Sequence, residues 1–300
     1  SMMSVDNSAV IDASSTSGTI HWSWNSGAST FNYLAAGQQV NLDYTIRATD
    51  SNSPAGTNDK TVRITITGVN TAPQLTDTSL SFTVNEDTKT TDSNVGQAVS
   101  TLISSSNFAD NDYSNPRGIA IIAVDTSHGA WYFSTNTGST WTNFTASDSQ
   151  ALLLTNTASN MLLFVPTANW FSGASPISAG LTIRAWDSSS GSNGQFANTA
   201  TTGGASAFST QTDTVALTVV AQNDPPVTTS GTINLTPFNE GDTATTAAWT
   251  QITSTFGYND TLDNQASNGG GNTEKTIGYM AVVGSTTVSY THLRAHETRE

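Results

Sequence analysis

Cysteine is absent from this 300-residue chain, and Lys and Arg together number only nine. Without cysteine, neither a disulfide nor a thiolate zinc site can staple the fold. So few bases exclude a nucleic-acid binder, because neutralising phosphates requires a Lys/Arg surface. They equally exclude a basic amphipathic helix lying on a membrane. Charged residues of both signs make up 11% of the chain, so the formal charge of −14 reflects scarce bases rather than an acidic tail. No run approaches 18 apolar residues, and the longest candidates, such as residues 161–165, are strand-sized. The opening residues carry neither a basic n-region nor an apolar h-region, so no secretory signal is visible, and the chain reads as a piece cut from something longer.

Leu and Glu are sparse, whereas Ser, Thr and Asn are abundant and Gly numbers 23. That composition disfavours helices and suits short, polar-faced strands with tight turns. The 36% hydrophobic content is enough for cores, so wholesale disorder is not expected, and the length suggests about two domains. Residues 288–300 resemble the translation of a sequencing-library adapter, which would make them a non-biological tail. Setting them aside removes His292 and His296, whose i, i+4 spacing would otherwise suggest a metal-binding helix. It leaves the net charge unchanged, because two Arg and two Glu go together.

Internal similarity carries most of the remaining information. Residues 61–70, followed by Thr71-Ala72-Pro73, recur 153 residues later as residues 214–223, followed by Asp224-Pro225-Pro226. A period of two places Val62, Ile64 and Ile66 on one face and Arg63, Thr65 and Thr67 on the other, the pattern of a half-buried strand ending at a linker. Three further anchors keep the order. They are Val84-Asn85-Glu86 with Phe238-Asn239-Glu240, residues 108–112 with 256–260, and residues 44–50 with 181–187. The arrangement predicts tandem modules: the C-terminal part of one over 1–73, a complete one over 74–226, and the start of a third over 227–287. Strands are expected over 118–124, 130–134, 139–144, 152–154, 161–165, 181–185 and 215–220, with 188–210 a loop too polar to be core. The fold class that follows is all-β, built from antiparallel sandwiches.

The series Ala48-x-Asp50, Asn70-x-Ala72-Pro73, Glu86, Asp110-x-Asp112, Ala185-x-Asp187 and Asn223-Asp224-x-Pro226 resembles bacterial cadherin-like repeats. These are tandem Greek-key β-sandwich modules, cadherin-like or immunoglobulin-like, strung end to end in large secreted adhesins of the RTX type. Leu34-Ala35-Ala36-Gly37 ahead of the Tyr44 strand is similar to the second half of a VCBS-type repeat, and the resemblance spans 1–287. It implies Ca²⁺ at the module junctions. Glu86, Asn223 and Asp224 would face Asp260 at the second junction, and Asn70 would face Asp110, Asp112 and Asp187 at the first. Ca²⁺ takes six to eight oxygens from carboxylates, amides, carbonyls and water. Thr71 stands where the family usually carries an Asp, and the mid-module acidic triplet of animal cadherins has no counterpart. The resemblance further implies a non-catalytic, extracellular stalk or spacer on a bacterial surface, serving cell adhesion or biofilm attachment. Its partners would be the neighbouring modules, with cell-surface glycans or proteins beyond them, and no segment inserts into a membrane.

Catalytic chemistry has little to draw on. Outside the tail only His21 and His128 remain, and His128 lies in a Ser-His-Gly turn where solvation is expected. There is no Gly-x-Ser-x-Gly elbow, and Gly269-Gly270-Gly271 lacks the Lys of a phosphate loop. The alternative is a carbohydrate-binding module that uses exposed tryptophan, accessory to a secreted enzyme. Trp131, Phe133 and Trp186 are expected in the core, leaving Trp141 and Trp170 as the candidates for exposed rings.

Overall fold

Apolar–polar alternation over residues 40–48 and again over 62–67 yields a long antiparallel hairpin. In the computed structural model, residues 2–5, 17–27, 31–51, 53–104, 107–112, 117–225, 227–228 and 258–259 are described. The first strands are β1 (Met3–Val5), β2 (Trp22–Trp24), β3 (Gln39–Thr49) and β4 (Thr57–Thr67). They are followed by β5 (Gln74–Leu75), β6 (Leu80–Asn85), β7 (Gln97–Ala98), β8 (Phe108–Ala109), β9 (Gly118–Val124) and β10 (Gly129–Ser134). Then come β11 (Thr142–Phe144), β12 (Ala151–Thr155), β13 (Met161–Pro166), β14 (Ile177–Trp186), β15 (Phe196–Ala197) and β16 (Phe208–Val220). The chain divides into two units, Ser1–Gln222 and Asn223–Glu300. In the second unit, β17 (Val227–Thr228) pairs antiparallel with β18 (Tyr258–Asn259).

Strands β3 and β4 run in unbroken register from Gln39 opposite Thr67 to Thr49 opposite Thr57. On the outward face Arg47 grips Asp59 through two bonds of 2.8 and 2.9 Å, and Arg63 grips Asp43 through two of 2.7 and 2.8 Å. The guanidinium bonds hold both carboxyl groups below the usual carboxylate range. Exposed pairs of this kind add little stability, and their bidentate geometry serves mainly to fix register.

The same strand pair occurs again as β14 and β16. Tyr44 faces Val62 and Ile46 faces Lys60 in the first hairpin; Leu181 faces Val215 and Ile183 faces Asp213 in the second. Under the offsets of the sequence repeat these are the same pairings, so the repeated residues fold into a repeated register.

The second pair is embedded in a sandwich. A six-stranded sheet of order β15-β12-β9-β14-β16-β6 lies against a four-stranded sheet of order β11-β10-β13-β7. All pairings are antiparallel except β16 with β6. Between the sheets, Ile119, Ile121, Leu152, Leu154, Ile183 and Leu217 from one side meet Trp131, Phe144, Leu162 and Phe164 from the other. Alternate side chains of β16 point inward, giving Val215, Leu217 and Val219 no more than 1% exposure.

The segment 188–210 corrects the sequence reading. It lies over the outer face of the six-stranded sheet, where Ala120, Ile122, Ala151 and Leu153 pack with Trp186, Ala207 and Phe208. Strand β15 pairs with β12 there, and Asn193 exchanges amide hydrogen bonds with the buried Asn160. Small residues make this close approach possible. A Cβ on Gly191, which has φ of +83°, would stand 2.4 Å from the Leu153 side chain. Covering on both faces explains why β9 reads as a continuous apolar run instead of alternating. Strand β11 is also shorter than the expected 139–144. Ser134 and Asn136 side chains capture the Gly138 and Thr140 amides at 2.9 and 3.0 Å and hold that stretch as a turn.

Asp213 pins the crossing from β5, which pairs with β8, to β6. Its Oδ2 accepts the Thr78 amide and hydroxyl, both at 3.0 Å, and Oδ1 accepts the Thr214 amide at 2.7 Å. Burial pushes its pKa up, more than these donors pull it down. The fold therefore holds this proton more tightly than the unfolded chain does, and stability from this group declines as pH rises from the unfolded value through the folded one. Asp213→Asn, which keeps an acceptor oxygen for Thr78, is expected to flatten the pH dependence of Tm between mildly acidic and neutral solution. Asp213→Ala should lower Tm throughout, because its part-buried donors lose their acceptor, at up to roughly 1–3 kcal/mol. Thermal melts across that pH range check both outcomes.

Candidate metal centre at the module junction

The link after β4 begins at a clasp. Gly37 N–H donates to Gly68 O at 3.0 Å and Gly68 N–H to Gln38 O at 2.8 Å. A Cβ on Gly68 would lie 2.4 Å from Leu34 O and 2.5 Å from Ala35 O, so only glycine fits against that turn.

The next residues bond one after another to loops of the sandwich. Asn70 Nδ2 donates to Asp187 Oδ2 at 2.7 Å and to Ser206 O at 3.0 Å. Thr71 N–H donates to Asp112 Oδ2 at 2.6 Å, and Ala72 N–H to Gly204 O at 2.8 Å. Asp187, at 1% exposure, uses its other oxygen to accept Ser189 N–H at 2.7 Å. Asp112 N–H donates to Asp110 Oδ1 at 2.8 Å, closing an Asx turn that orients the Asp-x-Asp pair. Asn70, Asp112 and Asp187 are thus gathered at one link, with Asp110 attached through Asp112.

Two acceptors at this link carry a physical signal. Asn70 Oδ1 and Asp112 Oδ1 are buried without a hydrogen-bond partner, a state that costs about 1–3 kcal/mol per group unless a donor, water or cation meets it. Both are hard oxygen donors of the kind Ca²⁺ takes. Among the described residues no three His, Cys, Asp or Glu side chains form a metal-holding cluster. A cation here would therefore draw on the Asn70 amide oxygen, Asp112 and water rather than on carboxylates alone. Asp187 meets Asn70 as a hydrogen-bond acceptor and serves as its anchor. The Asp-to-Thr departure at position 71 leaves the link intact, because the backbone amide makes the bond.

Sequence reasoning missed Ser206 and Gly204, whose carbonyls receive the link; backbone acceptors leave no mark in side-chain patterns. A cleft of about 370 Å³, bordered by Asn70, Ser189, Asn198, Ser206 and Phe208, opens at this place to solvent.

Of the residues expected at the second junction, Glu86 is 3% exposed. Its backbone N–H donates to Val220 O at 2.9 Å and its Oε1 accepts the Gln222 amide, capping the parallel β6–β16 pair. In the second unit, Asn223 Nδ2 donates to Asp224 O at 3.1 Å. Asp260 lies outside the described residues.

The aromatic candidates for sugar binding are placed differently from the sequence expectation. Trp141 and Trp170 are half-buried and pack against the core. Trp141 is seated over Gly96 and Gly138, where a Cβ would lie 2.6 and 3.2 Å from its ring. Trp170 stacks on His128 at a centroid distance of 4.2 Å with 4° between the rings, so His128 is half-buried rather than solvated. Trp22, at 54% exposure, is the most open tryptophan among the described residues, and Trp249 lies outside them. Among the described residues no helix is long and apolar enough to cross a membrane. Comparison with models of protein families, with curated proteins and with solved structures gives no match.

Proposed function

We propose that this chain is a run of β-sandwich modules acting as a non-catalytic stalk or spacer in an extracellular bacterial adhesin, with Ca²⁺ stiffening the junctions. The carrying observation is the junction itself. A repeated strand pair ends in a link whose residues 70–72 each bond to the following module, while Asn70 Oδ1 and Asp112 Oδ1 stay buried without a hydrogen-bond partner. Bonds from three consecutive residues would orient one module on the next, which is what a load-bearing array needs. A cation at the two orphan oxygens would make the link rigid.

Asn70 and Asp112 would hold the ion, Asp110 would orient Asp112, and Asp187 would hold Asn70 in place. Binding would supply charge neutralisation and cross-linking, with no chemical step. Extracellular modules bind Ca²⁺ with Kd of about 10⁻⁴–10⁻³ M, and at ten to a hundred times Kd one site contributes roughly 1.4–2.7 kcal/mol. Chelation with EGTA is expected to lower the Tm correspondingly, and restored Ca²⁺, but not Mg²⁺, to recover it. A melt that EGTA does not move overturns the calcium reading.

A further inference from the structure

Strand β5 follows closely on the link residues 70–72, and β8, its partner, leads directly into Asp110. The Thr76 amide extends their pairing by donating to Asn107 O at 2.8 Å. The chain then crosses to β6 through residues 77–79, and what fixes that crossing is Asp213 on β16.

Asp213 is a carboxyl group turned inward. It lies on the face of β16 that carries Val215, Leu217 and Val219, and it is 2% exposed. Thr78 grips it with amide and hydroxyl, and the side chain of Asp77, itself an exposed residue, hydrogen-bonds to it as well. Ionised carboxylates only accept hydrogen bonds, so two carboxyl groups bonded to each other hold a proton between them. Burial penalises charge on Asp213, which places the proton on that side. The elements around it bring no compensating cation. Strand β5 supplies Gln74 and Leu75, β6 sets Leu80 opposite Val215, and β14 sets Ile183 opposite Asp213. Arg184, the next residue of β14, directs its guanidinium to Ser209 O, Thr210 O and Asp148. A cleft of about 460 Å³, bordered by Asp77, Leu80, Ser178 and Thr214, opens to solvent beside the crossing.

We propose that Asp77 and Asp213 share one proton and act as a pH-sensitive clamp on the β5–β8 strand pair, closed while the proton is held and open once it is lost. Loss leaves two carboxylates in contact, one of them enclosed. The least costly relief is local opening. Residues 77–79 move into the cleft, water reaches Asp213, and Thr78 gives up its bonds. Strand β5 then loses its anchor at one end while the link holds it at the other. The clamp contributes fully below the unfolded carboxylate range, and its contribution is lost as pH rises through the folded value. None of this depends on a cation at the junction.

Carboxyl-carbon NMR of the full chain, labelled at Asp and kept in EGTA, tests the sharing. One signal, identified by its disappearance in Asp213→Asn, is expected to titrate above the ordinary carboxylate range. In Asp77→Asn that signal should titrate at lower pH, since the amide carries no charge and can donate to ionised Asp213. Amide hydrogen exchange tests the clamp. Protection at Thr76 and Thr78 should fall through the same titration, beyond the intrinsic rise of exchange with pH, while the Leu153 amide, bonded to Gln195 O, keeps its protection. In Asp77→Asn, Thr76 and Thr78 should stay protected over that pH range, an outcome that a merely structural Asp77 would not produce. An Asp213 signal in the ordinary range, or one that Asp77→Asn leaves in place, overturns the proposal. So does protection at Thr76 and Thr78 that ignores the titration.

Discussion

Trp131→Ala is expected to destabilise the complete module by about 3–5 kcal/mol, the range for truncating a large buried aromatic. Trp131 is fully buried on β10, with its ring edge-on to Phe82 at 5.0 Å and tilted against Phe164 at 5.1 Å. It therefore joins the strand that closes the six-stranded sheet to two strands of the opposite layer. Its Nε1 also donates to Asp125 O at 3.0 Å, across the β9–β10 turn. The alanine variant opens a cavity where these elements meet and strips that carbonyl of its donor. Single domains retain only about 5–15 kcal/mol in total, so denaturant titration should show a midpoint shifted by a large fraction of its original value. Trp131→Phe separates the contributions: most ring contacts survive, and the remaining loss, about 1–3 kcal/mol, measures the abandoned carbonyl. A wild-type midpoint for Trp131→Ala would contradict the sandwich core described above.

Asp187→Ala is the second large effect, and it acts on the junction. The side chain is enclosed, and both of its oxygens are engaged, one by Asn70 Nδ2 and one by Ser189 N–H. Removing it takes the acceptor from two part-buried donors, at up to about 1–3 kcal/mol each, while Asn70 Nδ2 keeps its bond to Ser206 O. The expected result without Ca²⁺ is a Tm well below that of the parent chain. With Ca²⁺ the shortfall should widen, because Asn70 is no longer held where its Oδ1 can ligate, and the increment from added Ca²⁺ should shrink. Asn70→Ala should reproduce the lost increment while leaving the Ser189 bond in place. Melts of the three proteins with EGTA and with Ca²⁺ distinguish the two losses. If Asp187→Ala keeps the full calcium increment, Asn70 has no part in binding.

Much of the architecture is legible in the amino-acid sequence. The alternation through Val62, Ile64 and Ile66 and its recurrence 153 residues later predicted the strands, and the shared register of Tyr44–Val62 and Leu181–Val215 follows from it. Trp131 and Phe133 lie between the sheets, as period-two alternation predicts, whereas Trp186 is buried on the outer face, under the covering segment. The covering segment 188–210 was misread for an equally physical reason. Composition reports how polar a loop is, and small Ser, Gly and Thr residues can lie flat on a sheet while their backbone groups pair.

At the candidate site the same division holds. The resemblance to cadherin-like repeats implies Asn70, Asp110, Asp112 and Asp187 as a group at the first link. What sequence could not supply was which atoms meet: the Thr71 amide on Asp112, Asn70 on Asp187, and the carbonyls of Ser206 and Gly204. These contacts join residues up to 136 positions apart, and a backbone acceptor has no identity in the sequence.

The amino-acid sequence by itself determined the all-β class, the strand faces, the tandem repetition and the dependence on something other than disulfides, since each follows from local period and composition. Tertiary structure alone decided which sheet edges are paired, which oxygens at the junction are left without a donor, and that Trp186 is enclosed on the outer face of its sheet. Those properties depend on which distant segments come together in space, and local patterning does not encode that.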